Sequence, residues 1–108
     1  MSEAEKTKIE IKSFWGTVLF TSEKETIKEA VVDAVLRGAD LRGADLRDAD
    51  LRDAVLRDAD LSGADLRDAD LRDADFFNVK FYGRGGNTKI KKSQVDDFFK
   101  ALGIVVEE

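Results

Sequence analysis

From Ala39 to Gly83 the chain repeats itself every five residues, as Ala-Asp-Leu-Arg-Asp with small variations. That period rules out both common secondary structures for the segment. On an α-helix each residue turns about 100°, so a five-residue step would send successive leucines around every side. On a straight strand the side-chain period is two, and an odd step of five would point them alternately to opposite faces. A backbone that buries every leucine must be neither.

A coil of short extended segments separated by corners satisfies the pattern. Ala and Leu, two apart, both point inward, the Asp between them points outward, and the last two residues turn the corner. The inward set is then Leu41, Leu46, Leu51, Leu56, Leu61, Leu66, Leu71, Phe76 and Phe81. Gly43, Gly63 and Gly83 lie twenty residues apart at the corner position. Twenty residues are four units, which predicts a four-sided coil with glycines along one corner.

These nine units resemble the pentapeptide-repeat family, whose motif is Ala-(Asp/Asn)-Leu-x-x. The resemblance covers residues 39–83 and implies an all-β solenoid with short helical caps: a right-handed quadrilateral β-helix of about two coils, with four units per coil. It implies inward stacks of Leu41–Leu61–Phe81, Leu46–Leu66, Leu51–Leu71 and Leu56–Phe76. Ala-Asp-Leu-Arg-Asp recurs verbatim four times, which leaves a consensus-engineered array and a natural one both open.

A solenoid exposes an apolar cross-section and strand edges at each end, so its flanks are expected to be caps. Residues 1–38 read as an N-terminal cap. Ile9, Ile11, Val18, Leu19 and Phe20 suggest a β-hairpin turning near Gly16, and Thr26 with Glu29 forms a capping box for a helix ending at Gly38. Ala34–Gly38 also fits a tenth repeat; the unbroken apolar stripe favours helix. Residues 84–108 read as a C-terminal cap: a loop, a short extended Thr88–Lys91, a helix and a terminal strand at Ile104–Val106. The helix opens on a Ser93–Asp96 capping box and presents Val95, Phe98, Phe99 and Leu102 on one face.

Chemistry is sparse. The 108 residues include no Cys and no His, which removes thiolate metal sites, cysteine nucleophiles and the commonest general base. Asp48-Ala49-Asp50-Leu51-Arg52 begins like a calcium loop and then places Arg at the third ligand position. Gly83-Arg84-Gly85-Gly86 lacks the Lys-Ser or Lys-Thr of a phosphate loop. Lys89–Lys92 is too short a basic run for a nucleic-acid patch on a chain of net charge −5. The expectation is no enzyme, no catalytic or cofactor-binding residue, no metal, no cofactor, no nucleic-acid partner and no membrane. Met1–Lys8 lacks an apolar run, so a soluble cytoplasmic protein is expected.

Two functions remain. The first is a non-catalytic structural or interaction solenoid whose protein partner is unknown, with a homodimer through a terminal cap left open. The alternative comes from the resemblance: some pentapeptide-repeat proteins mimic duplex DNA, bind type II topoisomerases and protect them from quinolones. Residues 39–83 hold 12 Asp against six Arg and Lys80. That diluted charge on so short a column argues against the mimic.

Overall fold

The computed structural model describes residues 8–81 and 86–104. The chain opens with β1 (Ile9–Lys12) and β2 (Val18–Ser22), paired antiparallel with a bulge at Ile11/Lys12. Alternation drives Ile11 into the core at 1% exposure. At the tip, the Ser13 hydroxyl accepts from the Trp15 and Thr17 amides, and Gly16 takes a φ of +91° that favours glycine.

Helix α1 (Ile27–Leu36) comes next. Its first turn is capped by Thr26, whose Oγ1 accepts from the Glu29 amide at 3.1 Å. Ala30, Val31 and Ala34 are fully buried, so the helix packs through small residues. Ala34–Leu36 are helical, and Leu36 stands 80% exposed rather than inward like the array's leucines.

In the array the chain returns beside itself every twenty residues. Parallel bridges join Asp45 to Asp65, Asp50 to Asp70, Val55 to Asp75 and Asp60 to Lys80. Each bridge carries a hydrogen-bond pair, as where Leu46 N–H donates to Asp65 O and Asp65 N–H to Ala44 O, both at 2.9 Å. Between bridges the chain turns: Ala49 N–H donates to Leu46 O, and equivalent bonds close the later corners. With a corner in every five residues, the extended part shrinks to a single bridge. The only regular strands among the described residues are therefore β1 and β2, and the α-helices are α1 and α2 (Val95–Ala101).

The corners require a left-handed backbone. Gly43 and Gly63 sit at φ +73°, and Asp48, Asp53, Asp58, Asp68, Asp73 and Asn78 between +60° and +68°. Gly, Asn and Asp are the residues that adopt this region at least cost, which is why the fifth position admits those three.

Leu41, Leu46, Leu51, Leu56, Leu61, Leu66, Leu71 and Phe76 lie at 0–1% exposure, with the repeat alanines beside them. Phe81 is only half-buried, unlike the other eight. It belongs to the last unit and packs against the rings of Phe76, at 5.6 Å between centroids, and Phe98 of α2, at 4.9 Å.

The ends are joined to the array through backbone bonds. Asp45 N–H donates to Lys12 O at 2.7 Å and Phe14 N–H to Gly43 O at 3.1 Å, seating the hairpin on the first edge. At the far end Lys89 bridges Asp65, and Phe76 N–H donates to Ala101 O at 2.8 Å. The expected Ser93–Asp96 capping box does not form. Lys92–Gln94 is a 3₁₀ turn leading into α2, whose start has no side-chain cap. Val95, Phe98, Phe99 and Leu102 are half-buried, while the residues fully covered are Gln94 and Ala101. Gly103 ends α2 with φ +90°. Val105 and Val106 of the expected terminal strand lie outside the described residues, as do Gly83, Arg84 and Gly85 of the glycine loop.

Candidate functional site

The outer wall of the array is the feature the sequence repeats most faithfully, and it is built from one local unit. In Asp45-Leu46-Arg47, Asp45 Oδ1 accepts from the Arg47 backbone N–H at 3.2 Å and from Arg47 Nε at 2.8 Å, while Oδ2 accepts from the guanidinium at 2.8 Å. The carboxylate thus fixes the turn and holds a fork of two parallel bonds. Asp50 with Arg52, Asp65 with Arg67 and Asp70 with Arg72 repeat the unit. Asp40 with Arg42 does the same. The mid-face aspartate thus satisfies the backbone N–H of the residue that opens each corner.

Each fork perturbs titration in one direction. The Arg42 guanidinium, with its backbone N–H, holds Asp40 down to about 2. Hydrogen bonds from Arg47, Arg52, Arg67 and Arg72 lower Asp45, Asp50, Asp65 and Asp70, and burial opposes them. Asp75 is lowered first by the Phe77 backbone N–H and then by Arg57. Forks on adjacent turns also meet, with Arg52 Nε 3.7 Å from Asp70 and Arg47 Nε 4.0 Å from Asp65. Asp65 is the deepest of them, its side chain 3% exposed beneath both arginines.

Such carboxylates are poor bases and poor metal ligands, since each is ionised and already occupied. In the calcium-like segment, Asp50 is spent on Arg52. Among the described residues, no group of three or more acidic side chains is placed to hold a metal ion. A cleft of about 520 Å³ opens between β2 and α1, where Asp33 is committed to Arg37 at 2.8 Å and Ser22 at 2.9 Å. The basic run is dispersed: Lys89 pairs by backbone with Asp65 and reaches to 6.0 Å above the Phe14 ring, while Lys91 Nζ pairs with Asp68 at 2.7 Å. Among the described residues no helix is long and apolar enough to cross a membrane.

One residue that sequence reasoning missed closes the far edge. Gln94 is 7% exposed, and its Nε2 donates to Leu66 O at 2.7 Å and Ala69 O at 2.9 Å. Its Oε1 accepts from Asp68 N–H at 3.1 Å and Lys91 N–H at 2.7 Å. The signal available was a polar residue four before Phe98, on the apolar stripe itself.

No curated protein and no solved structure matches the chain. A family model for pentapeptide repeats matches eight copies over residues 32–68 and 54–83. With the five-residue motif, the twenty-residue bridging and the buried central residues, residues 32–83 place this chain in the pentapeptide-repeat family.

Proposed function

We propose that residues 39–83 wind as a right-handed quadrilateral β-helix of about two coils, capped by residues 1–38 and 84–108, and serve as a non-catalytic interaction scaffold. What supports the winding is the set of parallel bridges between residues twenty apart, four units along the chain. The scaffold reading rests on one observation: the mid-face carboxylates of Asp40, Asp45, Asp50, Asp65 and Asp70 are consumed by their own arginines. A surface of this kind offers shape and a grid of fixed ion pairs, and leaves few groups free for proton transfer or ligation. No specific partner is implied by it.

The same observation weighs against DNA mimicry, which needs uncompensated negative charge along a rod. A supercoiling assay with a type II topoisomerase and a quinolone tests the distinction. The scaffold reading expects no protection at protein in several-fold excess over enzyme. Protection that saturates near stoichiometric protein would overturn it in favour of the mimic.

A further inference from the structure

The ninth unit ends at Gly83, and after four further residues the chain reads Thr88-Lys89-Ile90-Lys91-Lys92. Set against Ala-Asp-Leu-Arg-Asp, this segment keeps a small residue first, an aliphatic residue third and a cation fourth. It lies on the same ladder as the units. Lys89 bridges Asp65 in parallel, as Asp65 bridges Asp45. Leu66 N–H donates to Lys89 O at 2.8 Å and Lys89 N–H to Ala64 O at 3.0 Å. One turn earlier, Leu46 N–H and Asp65 N–H make the same two bonds, to Asp65 O and Ala44 O. Lys89 follows Asp65 by twenty-four residues, the array's twenty plus the four inserted. Ile90, in the slot of Leu46 and Leu66, is half-buried against the core, and Lys91 Nζ pairs with Asp68 at 2.7 Å. The corner that leads into the segment is closed by a substitute. In the units the alanine N–H donates to the preceding central carbonyl, as Ala44 N–H does to Leu41 O at 3.1 Å. Thr88 stands in the alanine slot, and its Oγ1 lies 2.6 Å from Phe81 O, the corresponding acceptor, and 2.7 Å from Leu61 O. Leu61 O already accepts from Ala64 N–H, so Phe81 O is the carbonyl that depends on this hydroxyl.

We propose that residues 88–92 are a tenth unit, strapped onto the third turn after an insertion of four residues, and that Lys92 is the device that stops the array. The fifth slot of a unit needs the left-handed backbone that Asp48 and Asp68 take on this side. Lys92 fills that slot and does not take it; it opens the 3₁₀ turn Lys92–Gln94 instead. One corner therefore converts coil into helix. The hydrogen bonds at that corner change hands accordingly. In the array the Arg67 carbonyl accepts from Asp48 N–H at 3.1 Å. Its counterpart, Lys91 O, accepts from Gln94 N–H at 2.9 Å, and Gln94 Oε1 takes the Asp68 N–H in its place. The proposal rests on the winding proposed above and carries the array from residue 83 to residue 92.

Amide hydrogen exchange on the full chain separates the tenth unit from the winding. The Leu46 and Asp65 amides report the winding, and the Leu66 and Lys89 amides report the tenth unit. All four should exchange with equal protection, in one cooperative opening. Leu66 and Lys89 exchanging at least about tenfold faster than the other two overturns the tenth unit and leaves the winding standing. Loss of protection at Leu46 and Asp65 overturns both. Deleting residues 84–87 restores the twenty-residue spacing and should leave the urea midpoint at or above that of the full chain. A cap with a geometry of its own would be pulled from its seat, and the midpoint would fall. Thr88→Ala completes the test. In the full chain it should lower the midpoint, because Phe81 O loses its donor. In the deletion chain the backbone N–H of residue 88 reaches that carbonyl as the alanines do, and the substitution should be silent. A midpoint that falls on deletion, or a Thr88→Ala effect equal in both chains, overturns the proposal.

Discussion

Replacing Gln94 by Leu tests whether the far edge of the array is sealed by one polar side chain. The substitution keeps much of the volume and the apolar contact but deletes four hydrogen bonds. Their loss is uneven. Leu66 O still accepts from the Ala69 N–H of its own turn at 3.0 Å. Ala69 O has no second partner among the described residues, so it is orphaned beneath the new side chain. An orphaned buried carbonyl costs about 1–3 kcal/mol, and the three partly compensated groups about 0.5 kcal/mol each at the low end. The expected loss is about 2.5–4.5 kcal/mol, a large share of the roughly 5–15 kcal/mol available to a domain of this size. Urea melts followed by circular dichroism measure it as a lowered midpoint at unchanged slope. Ser93→Ala is the control. Were the Ser93–Asp96 cap present it would cost about 1 kcal/mol, whereas an exposed 3₁₀ position should shift stability by less than about 0.5 kcal/mol. A Gln94→Leu protein within about 0.5 kcal/mol of wild type, or a Ser93→Ala protein hit equally hard, would refute the reasoning.

The remaining expectations concern the column, the wall and the far cap. Leu66→Asp places a carboxylate at a fully buried site and should abolish cooperative unfolding in a thermal melt, since an unpaired buried charge is strongly destabilising. Arg67→Ser should cost more than Arg72→Ser, because Arg67 covers the 3%-exposed Asp65 side chain while Asp70 is 30% exposed; equal denaturation midpoints would show that burial of Asp65 has no energetic consequence. Acid should destabilise late. Asp33, Asp40, Asp45, Asp50, Asp65, Asp70 and Asp75 are lowered in the folded chain, so the unfolded chain binds more protons in acid. The stability they contribute is full above the ordinary carboxylate value of about 3.9 and is lost as pH falls through their lowered values. Urea midpoints should hold from pH 7 to about 5 and drop between about 4 and 2; a midpoint that does not fall below pH 4 contradicts the fork geometry. Deleting residues 92–108 removes Gln94, Phe98 and the Ala101 carbonyl that accepts from Phe76 N–H, baring an edge and an apolar end. Light scattering should report aggregation, and a truncated chain that stays monomeric and equally stable would show that α2 is no cap.

The parts of this structure that could be read from residues are those where one physical demand leaves one solution. A leucine every fifth residue must be buried by a coil with corners, and a corner that needs positive φ takes Gly, Asp or Asn. The far end was harder because apolar periodicity names a face and says nothing of its depth. Val95 and Phe99 satisfy the helical spacing yet sit half-covered, while the residue that ties α2 to the array is the polar Gln94. Phe81 carries the motif's central position, but its burial depends on the cap packed beyond it, and a repeat cannot specify its own last neighbour.

Regularity also changes where information lies in such a chain. A unit that recurs verbatim repeats one local answer: an Asp fixes its turn, holds its Arg and leaves both neutralised. Specific roles can then be encoded only by exceptions. Val55 leaves Arg57 without the carboxylate its counterparts have two residues before them, and Arg57 reaches across to Asp75 instead. Phe77 removes a charge directly above that arginine and gives it a ring to stack on. The two exceptions are complementary and occupy adjacent turns of one side, so they act as a pair and expose a patch that the consensus would have charged. Ser62 at an arginine slot and Lys80 at an aspartate slot are a second departure from the unit, on the side of the Asp60–Lys80 bridge.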